Sequence, residues 1–303
     1  LAMINSKPKI SLAAVPYFWS KESYLSFYHQ VASAPVDIVY IGETVCSKRR
    51  SMKLADWLAI AELLSASGKQ VVLSTLTLLE AESELGYLSK LASQKNYLIE
   101  ANDVAAIQIA SENKNSFVAG SAINIYNNRS LMRLKELGMS RWVVPVELGC
   151  DDLLPMIQLA ARESVEIEYQ VFGRMPLAYS ARCFTARHHQ LTKDQCQLRC
   201  LEDEQGVLVN TQEGEGFVQI NGIQTQSSKV SNLIHQSLSL LNHGIDIFRI
   251  VPVSAVDTIE VIQQISDGFL TLAEPLFEPN KLVGDYQYCN GYWFQIEGMN
   301  QVG

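Results

Sequence analysis

The 303-residue sequence lacks the features that mark membrane, nucleic-acid and common nucleotide-binding proteins. No apolar run approaches the ~18 residues that a membrane span needs. Basic residues are outnumbered, with 24 against 32 acidic ones, so a protein whose main task is neutralising phosphates is not expected. The sequence contains no P-loop, no G-x-G-x-x-G after a predicted strand, no H-E-x-x-H and no G-x-S-x-G elbow.

A secretory leader is not expected either. The chain opens LAMINSKPKI, with no apolar h-region ahead of the first predicted strand. We therefore expect a cytoplasmic protein with reduced thiols. In that setting a group of cysteines is more typical of metal binding than of disulfides.

Cysteine is scarce, yet three of the six cysteines lie in one segment. Cys183, Cys196 and Cys200 form a C-x12-C-x3-C pattern. Four cations lie among them: Arg182, Arg187, Lys193 and Arg199. Nearby cations lower the pKa of a thiol, favour the thiolate that binds metal and offset the charge of a four-thiolate iron-sulfur cluster.

The fourth ligand is predicted to be Cys46, in GETVCSKRR, because it also stands among cations. Cys150 and Cys289 lack such neighbours and are interpreted as small buried apolar residues. Zinc stays an alternative to iron, although zinc sites with four cysteines usually contain two C-x2-4-C knuckles and only one such spacing occurs here. The long, uneven spacing of the four cysteines favours an iron-sulfur cluster.

The local pattern predicts helices around the cysteines. A turn at 173–174 precedes Pro176, a residue typical of a first helical position, so a short helix is predicted from Leu177 to Ala186. In a second helical piece Cys196 and Cys200 would be i and i+4 neighbours, with Cβ atoms ~6 Å apart.

Eight apolar, β-branched runs recur at fairly even intervals, and most are followed by a helical pattern. The predicted strands are Ile10 to Val15, Ile38 to Ile41, Gln70 to Ser74, Tyr97 to Glu100, Phe117 to Ala119, Arg141 to Val146, Val165 to Phe172 and Ile245 to Val251. The predicted helices are Ser20 to Ala34, Lys53 to Ser67, Glu80 to Gln94, Asp103 to Asn113, Asn128 to Leu137, Asp151 to Arg162 and Lys229 to His243. This alternation favours a (β/α)8 TIM-like barrel, with a doubly wound sheet as the alternative.

After Cys200 the pattern becomes irregular. Two short strands, Val207 to Asn210 and Phe217 to Ile220, are joined by TQEGEG and predict an antiparallel hairpin. We interpret 1–303 as a single barrel domain with a hairpin insertion at 201–227.

A barrel would bring the predicted ligands together, since residues that directly follow strands lie at its C-terminal face. Cys46 follows the second strand and the three-cysteine segment follows the seventh. Further candidates for that mouth are polar residues that follow strands, with helix capping as the alternative: Glu43, Asn102, Asn124 and Glu147. Aromatic candidates for holding a ring there, with packing of the rim as the alternative, are Tyr17, Phe18, Trp19 and Tyr126.

Four pieces of sequence resemble the collagenase-like peptidase family, and within it the UbiV (YhbV) branch. They are PLAYSARCFTAR, the KD-x-C-x3-C that follows it, GETVCSKRR, and CNGYW near the end. The resemblance implies an accessory factor in oxygen-independent ubiquinone biosynthesis that carries a [4Fe-4S] cluster on Cys46, Cys183, Cys196 and Cys200.

The resemblance also implies partners. These are a UbiU-like protein, with which the chain forms a heterodimer for ring hydroxylations that use no O2, and a lipid-binding UbiT-like protein. A ubiquinone precursor is the implied substrate of the assembly. No protease constellation and no catalytic residue is recognised. RNA base hydroxylase and peptidase, activities of other family members, stay alternatives.

Overall fold

The computed structural model describes residues 7–271 and 283–302. The first six residues, on which part of the expectation about a leader rests, lie outside this range. Among the helices in it, none combines the length and apolar character that crossing a membrane requires.

Eight parallel strands close into a barrel. Strands are numbered here along the whole chain, including those outside the barrel. The first seven pair with one another in chain order, and the eleventh closes the barrel by pairing with both the seventh and the first. The fold is therefore a (β/α)8 barrel, as the recurring runs predict. The strands are β1 (Lys9–Leu12), β2 (Ile38–Ile41), β3 (Gln70–Ser74), β4 (Leu98–Ala101), β5 (Phe117–Ala119), β6 (Met139–Val143), β7 (Glu166–Tyr179), β8 (Val207–Asn210), β9 (Gly216–Asn221), β10 (Gln224–Asn232), β11 (Ile247–Ile250) and β12 (Tyr288–Cys289).

Helices follow most of the barrel strands, and their ends carry the expected signals. The Ser20 hydroxyl caps the first helix by accepting from the Ser23 N–H at 3.1 Å. Gly68, Gly138 and Gly244 have positive φ just past helix ends. The helices are α1 (Lys21–Ser33), α2 (Leu54–Ala66), α3 (Glu82–Ala92), α4 (Val104–Glu112), α5 (Asn128–Glu136), α6 (Cys150–Arg162), α7 (Phe184–His188), α8 (Ser237–His243) and α9 (Ala255–Thr271).

Side-chain alternation along the strands separates two layers of core. In β2, Val39 and Ile41 pack outward in the large core that also contains helix residues, whereas Ile38 and Tyr40 pack inside the barrel. The barrel interior also holds buried charges. The Arg249 guanidinium donates to the carboxylates of Glu168 at 2.7 Å and Glu100 at 2.6 Å.

One prediction along β7 is wrong and a second is correct only at its end. The turn at Gly173 and Arg174 is replaced by a continuation of β7 to Tyr179, and the helix predicted from Leu177 to Ala186 begins only at Phe184, as α7. Antiparallel pairing with β10 continues the strand, with a register shift opposite Pro176. Long-range ladder bonds therefore override the helical preference that Pro176 indicates, and the irregular register accommodates its missing N–H.

The predicted helix from Lys229 to His243 is correct only in its second half. Residues up to Asn232 belong to β10, and α8 begins at Ser237. The predicted hairpin is present as β8 and β9, which pair antiparallel, and β10 joins it to the barrel through β7.

Candidate cysteine site and barrel mouth

The four cysteines that were predicted as ligands line one small cavity at the C-terminal face, which we call the cysteine cavity. Cys46 comes from the loop after β2, Cys183 from the start of α7, and Cys196 and Cys200 from the segment that follows. All four are free thiols with partial exposure. The fold therefore gathers the set, while their role as ligands stays a prediction.

The thiols share the cavity without forming a closed ligand cage. In residues 7–271 and 283–302, no three His, Cys, Asp or Glu side chains are grouped so that they could hold a metal ion as they stand. Cys150 and Cys289 do not line the cysteine cavity, and Cys289 is buried in β12.

The loop after β2 presents Cys46 through a tight turn. Gly42, at φ +132°, lies so close to β3 that a Cβ there would stand 2.7 Å from the Ser74 carbonyl oxygen. The Glu43 carboxylate then accepts from the N–H groups of Val45 at 2.8 Å and Cys46 at 3.0 Å. Glu43 thus shapes this turn and lines neither cavity of the barrel mouth described below.

Cys183 lies at the N-terminus of α7 as its cap. Its Sγ accepts from the Ala186 N–H at 3.4 Å. The turn between β9 and β10 holds the helix in place, because Gly222 donates to the Thr185 hydroxyl at 2.9 Å and accepts from the Phe184 N–H at 3.0 Å. The hairpin strands are thus the support on which this cysteine rests.

Cys196 and Cys200 are not neighbours on one helix, as the sequence predicted. Two short 3-10 helices, Lys193–Gln195 and Arg199–Leu201, are separated by Gln197 and Leu198 at φ +51° and +56°. A left-handed pair interrupts any helical hydrogen-bond ladder, so the chain changes direction between the two thiols.

Cations surround the cysteine cavity. Lys48 Nζ donates to the Lys193 carbonyl oxygen at 2.9 Å and to the Asp194 carboxylate at 2.8 Å, which ties the Cys46 loop to the Cys196 segment. Burial raises the pKa of Cys200, and the positive charge of Arg49 opposes that effect. Cys46 behaves in the same way, with burial as the larger influence on its pKa.

A second opening lies over the barrel and is called the mouth cavity. Of the predicted mouth residues Asn102 lines it, and Asn124 and Glu147 line an adjoining cavity of ≈ 250 Å³. The mouth cavity is also lined by a set of polar residues that the sequence did not predict: Glu100, Gln170, Arg174, Gln224, Gln226 and Arg249. A signal existed for Glu100 and Arg249, because each is a charge within an otherwise apolar strand run.

Three of the four aromatic candidates pack the rim. Tyr17, Phe18 and Trp19 are buried, and Tyr17 donates its hydroxyl to the Gln226 side chain at 3.2 Å. Tyr126 is exposed and donates to the Glu147 carboxylate at 3.0 Å. The packing alternative therefore holds for the first three.

Comparison with known proteins finds a family match and several similar folds. The model described as peptidase family U32 matches residues 24–260. Dihydropteroate synthase from Thermus thermophilus is 12% identical with a TM-score of 0.38, over 88% of this chain and 95% of that one. An uncharacterized B. cereus protein is 10% identical with a TM-score of 0.44, over 85% and 65%. Orotidine 5'-monophosphate decarboxylase from Methanocaldococcus jannaschii, complexed with the inhibitor BMP, is 11% identical with a TM-score of 0.41, over 86% and 99%.

Proposed function

The chain belongs to peptidase family U32, the collagenase-like family, and from that membership we propose that it is an iron-sulfur subunit of an oxygen-independent hydroxylation system in ubiquinone biosynthesis. In this proposal a [4Fe-4S] cluster is held by Cys46, Cys183, Cys196 and Cys200. The branch within the family is proposed from the resemblance of the cysteine-containing motifs to UbiV.

One observation carries the proposal: four thiols from distant parts of the sequence line a single cavity. Iron-sulfur clusters are held by cysteine thiolates, so the donor set fits the group. Lys48, Arg49 and Lys193 also line this cavity, and their positive charge would offset that of the thiolates. When bound, such a cluster supplies electron transfer, because four protein ligands leave no open iron.

The mouth cavity is where we propose that the ring of the substrate enters. Hydrogen bonds connect it to the cysteine cavity. Asn221 accepts from Arg49 at 2.7 Å and donates to Gln224 at 3.0 Å, and Gln224 donates to the Tyr179 hydroxyl at 2.8 Å. Gln224 and Tyr179 line the mouth cavity, so polar groups bridge the two openings.

The proposed partners follow from the same resemblance. They are a UbiU-like protein, as the second half of a heterodimer, and a lipid-binding UbiT-like protein that would present the ubiquinone precursor. Neither partner implies a catalytic residue in this chain.

The test is anaerobic conversion of a ubiquinone precursor by the chain together with its UbiU-like partner. Hydroxylated product is expected with the wild-type chain and with Cys150→Ala, and none with Cys183→Ala. Product that persists in Cys183→Ala would contradict the proposal. Casein or gelatin turnover abolished by one point mutation, or salt-dependent RNA binding, would instead favour the peptidase or RNA alternative.

A further inference from the structure

Arg49 is a buried cation in the wall of the cysteine cavity. It is 5% exposed and lines the cavity together with all four cysteines. A buried charge is costly unless the protein compensates it, so its position beside the thiols requires an explanation.

One backbone carbonyl and one side-chain amide fix the guanidinium. Nη1 donates to the Pro16 carbonyl oxygen at 2.8 Å, and Nη2 donates to the Asn221 side-chain oxygen at 2.7 Å. Gly222 leaves room for this arrangement, because a Cβ there would stand 2.8 Å from Nη2. The planar fork is therefore held from two sides, which a flexible lysine ammonium would not reproduce.

The hydrogen-bonding capacity of Arg49 is not used up. Its Nε is buried and has no hydrogen-bond partner within the part of the chain that the structure describes. Unpaired buried donors are rare in folded proteins, and here the group belongs to a side chain that lines the cavity. The one carboxylate in ion-pair range is Glu43, at 3.8 Å, among the described residues.

We infer that Arg49 is a positioning residue that fixes one positive charge beside the cluster and so raises the reduction potential of the cluster. The negative charge of Glu43, at 3.8 Å from Arg49, partly offsets this effect. The inference rests on the proposed function, since it presumes that the four thiols hold a cluster. Net charge and hydrogen bonding around a cluster set its potential, and reduction adds negative charge that a fixed cation stabilises.

The inference is tested by redox titration of the anaerobically purified, iron-loaded chain at pH 8, followed by electron paramagnetic resonance. In Arg49→Gln the potential should become more negative. At a fixed solution potential the reduced-to-oxidised ratio should fall at least about tenfold, which is 59 mV for a one-electron couple. In Glu43→Gln, which keeps an acceptor for the N–H groups of Val45 and Cys46, the potential should rise.

Two further variants separate charge from shape. Arg49→Lys keeps the charge, so its potential should stay closer to wild type than that of Arg49→Gln. Arg50→Gln is the matched control, because Arg50 is in the same loop but exposed, and solvent and salt screen its charge. Its potential should remain that of wild type.

The outcomes distinguish the two levels of the proposal. A wild-type chain that binds no iron would overturn the proposed function and the inference together. A loaded wild type whose potential is unchanged in Arg49→Gln and Glu43→Gln would overturn the inference alone. If Arg49→Gln does not retain iron, Glu43→Gln decides, since a rise supports the role of the ion pair and an unchanged potential contradicts it.

Discussion

A few charged residues inside the barrel form a buried network of ion pairs and hydrogen bonds. Arg249 lies between Glu100 and Glu168, and its guanidinium stacks over the Tyr40 ring at 4.3 Å from the centroid. Glu168 also accepts from Ser11 at 2.7 Å. Both carboxylates are buried, and a buried charge is costly unless partners such as these compensate it.

Arg249→Met should therefore lower the free energy of unfolding by about 3–5 kcal/mol, because it removes the cation paired with buried Glu100 and the nearer of the two cations beside buried Glu168, which keeps Arg141 at 3.9 Å. Urea unfolding followed by circular dichroism measures the loss. Arg133→Met is the control, since Arg133 forms an exposed pair with Glu136 and such pairs contribute about 0–1 kcal/mol. Equal losses in the two variants would contradict the assignment of the interior network.

Among the secondary-structure elements, β7 depends on one glycine. Gly173, at φ +121°, lies where the barrel portion of the strand passes into the portion paired with β10. A Cβ at this position would stand 2.5 Å from the Val251 carbonyl oxygen, on the segment that follows β11. Both the backbone conformation and the close approach therefore require glycine.

Gly173→Ala should be more destabilising than Gly68→Ala by about 1–3 kcal/mol, the usual cost of overpacking. Gly68 also has positive φ, but a Cβ there would meet nothing within 4 Å. Both variants place an alanine at positive φ, which costs free energy, but only Gly173→Ala also creates a steric clash. Thermal unfolding of the two proteins side by side measures the difference, and equal transition temperatures would argue against the close packing of β7.

The start of α2 contributes to the stability of the fold in a pH-dependent way. The Asp56 carboxylate accepts from Lys21 Nζ at 2.7 Å and from the Lys53 N–H at 2.9 Å. The hydrogen bond from Lys21 and then that from Lys53 lower the pKa of Asp56 below its ordinary value. A carboxyl group whose pKa is lower in the folded than in the unfolded protein stabilises the fold at pH values above its ordinary pKa. This stabilisation disappears as the pH falls through the pKa of the folded state.

Asp56→Asn should therefore destabilise the protein at pH 7 by about 1 kcal/mol, the typical value of a helix-capping contact. The difference from wild type should shrink below the ordinary pKa of an aspartate and vanish at still lower pH, where both side chains are neutral. Urea unfolding along a pH series checks the trend. A gap that widens on acidification would show that the sign is wrong.

How far the sequence predicts each element depends on where its stabilising contacts come from. The bounds of β2, β3 and β5 are predicted to the residue, because apolar β-branched runs buried on both faces are visible locally. β10 reads QTQSSKVSN, and its strand state depends on pairing with β7 and β9, which no local pattern shows. Arg174 and Gln224 lie on these paired strands, so the polar side of the mouth was missed with them.

The same distinction explains the cysteine site. Its membership was predictable, because barrel topology places the ends of β2 and β7 at one face and charge marks the four thiols. Its local geometry was not predictable from the sequence. Gln197 and Leu198 adopt left-handed backbone conformations, which residues other than glycine rarely adopt, so nothing in their identity indicates them.

At the scale of the whole molecule, cluster binding would join distant parts of the chain. Cys46 belongs to the loop after β2, whereas the other three cysteines lie beyond β7. A group held by ligands from separate segments stabilises the folded arrangement over the unfolded one. The segment 180–206 should respond most strongly.

Removal of iron should therefore expose this segment to trypsin, whose target residues Arg182, Arg187, Lys193 and Arg199 lie within it. We expect at least about tenfold faster cleavage in the iron-free protein, because binding of a ligand to the folded form lowers the population of the open form. Mass spectrometry of the fragments locates the cuts, with cleavage at exposed Arg133 as the internal control. Equal rates in this segment would contradict the coupling.

The most direct measurement is iron and acid-labile sulfide in the anaerobically purified chain. The account predicts about four of each per chain in the wild type and in Cys150→Ala, as one four-thiolate cluster requires, and neither in the variant in which Cys46, Cys183, Cys196 and Cys200 are all alanine. Iron retained in that fourfold variant, or stoichiometric zinc in the wild type, would contradict it.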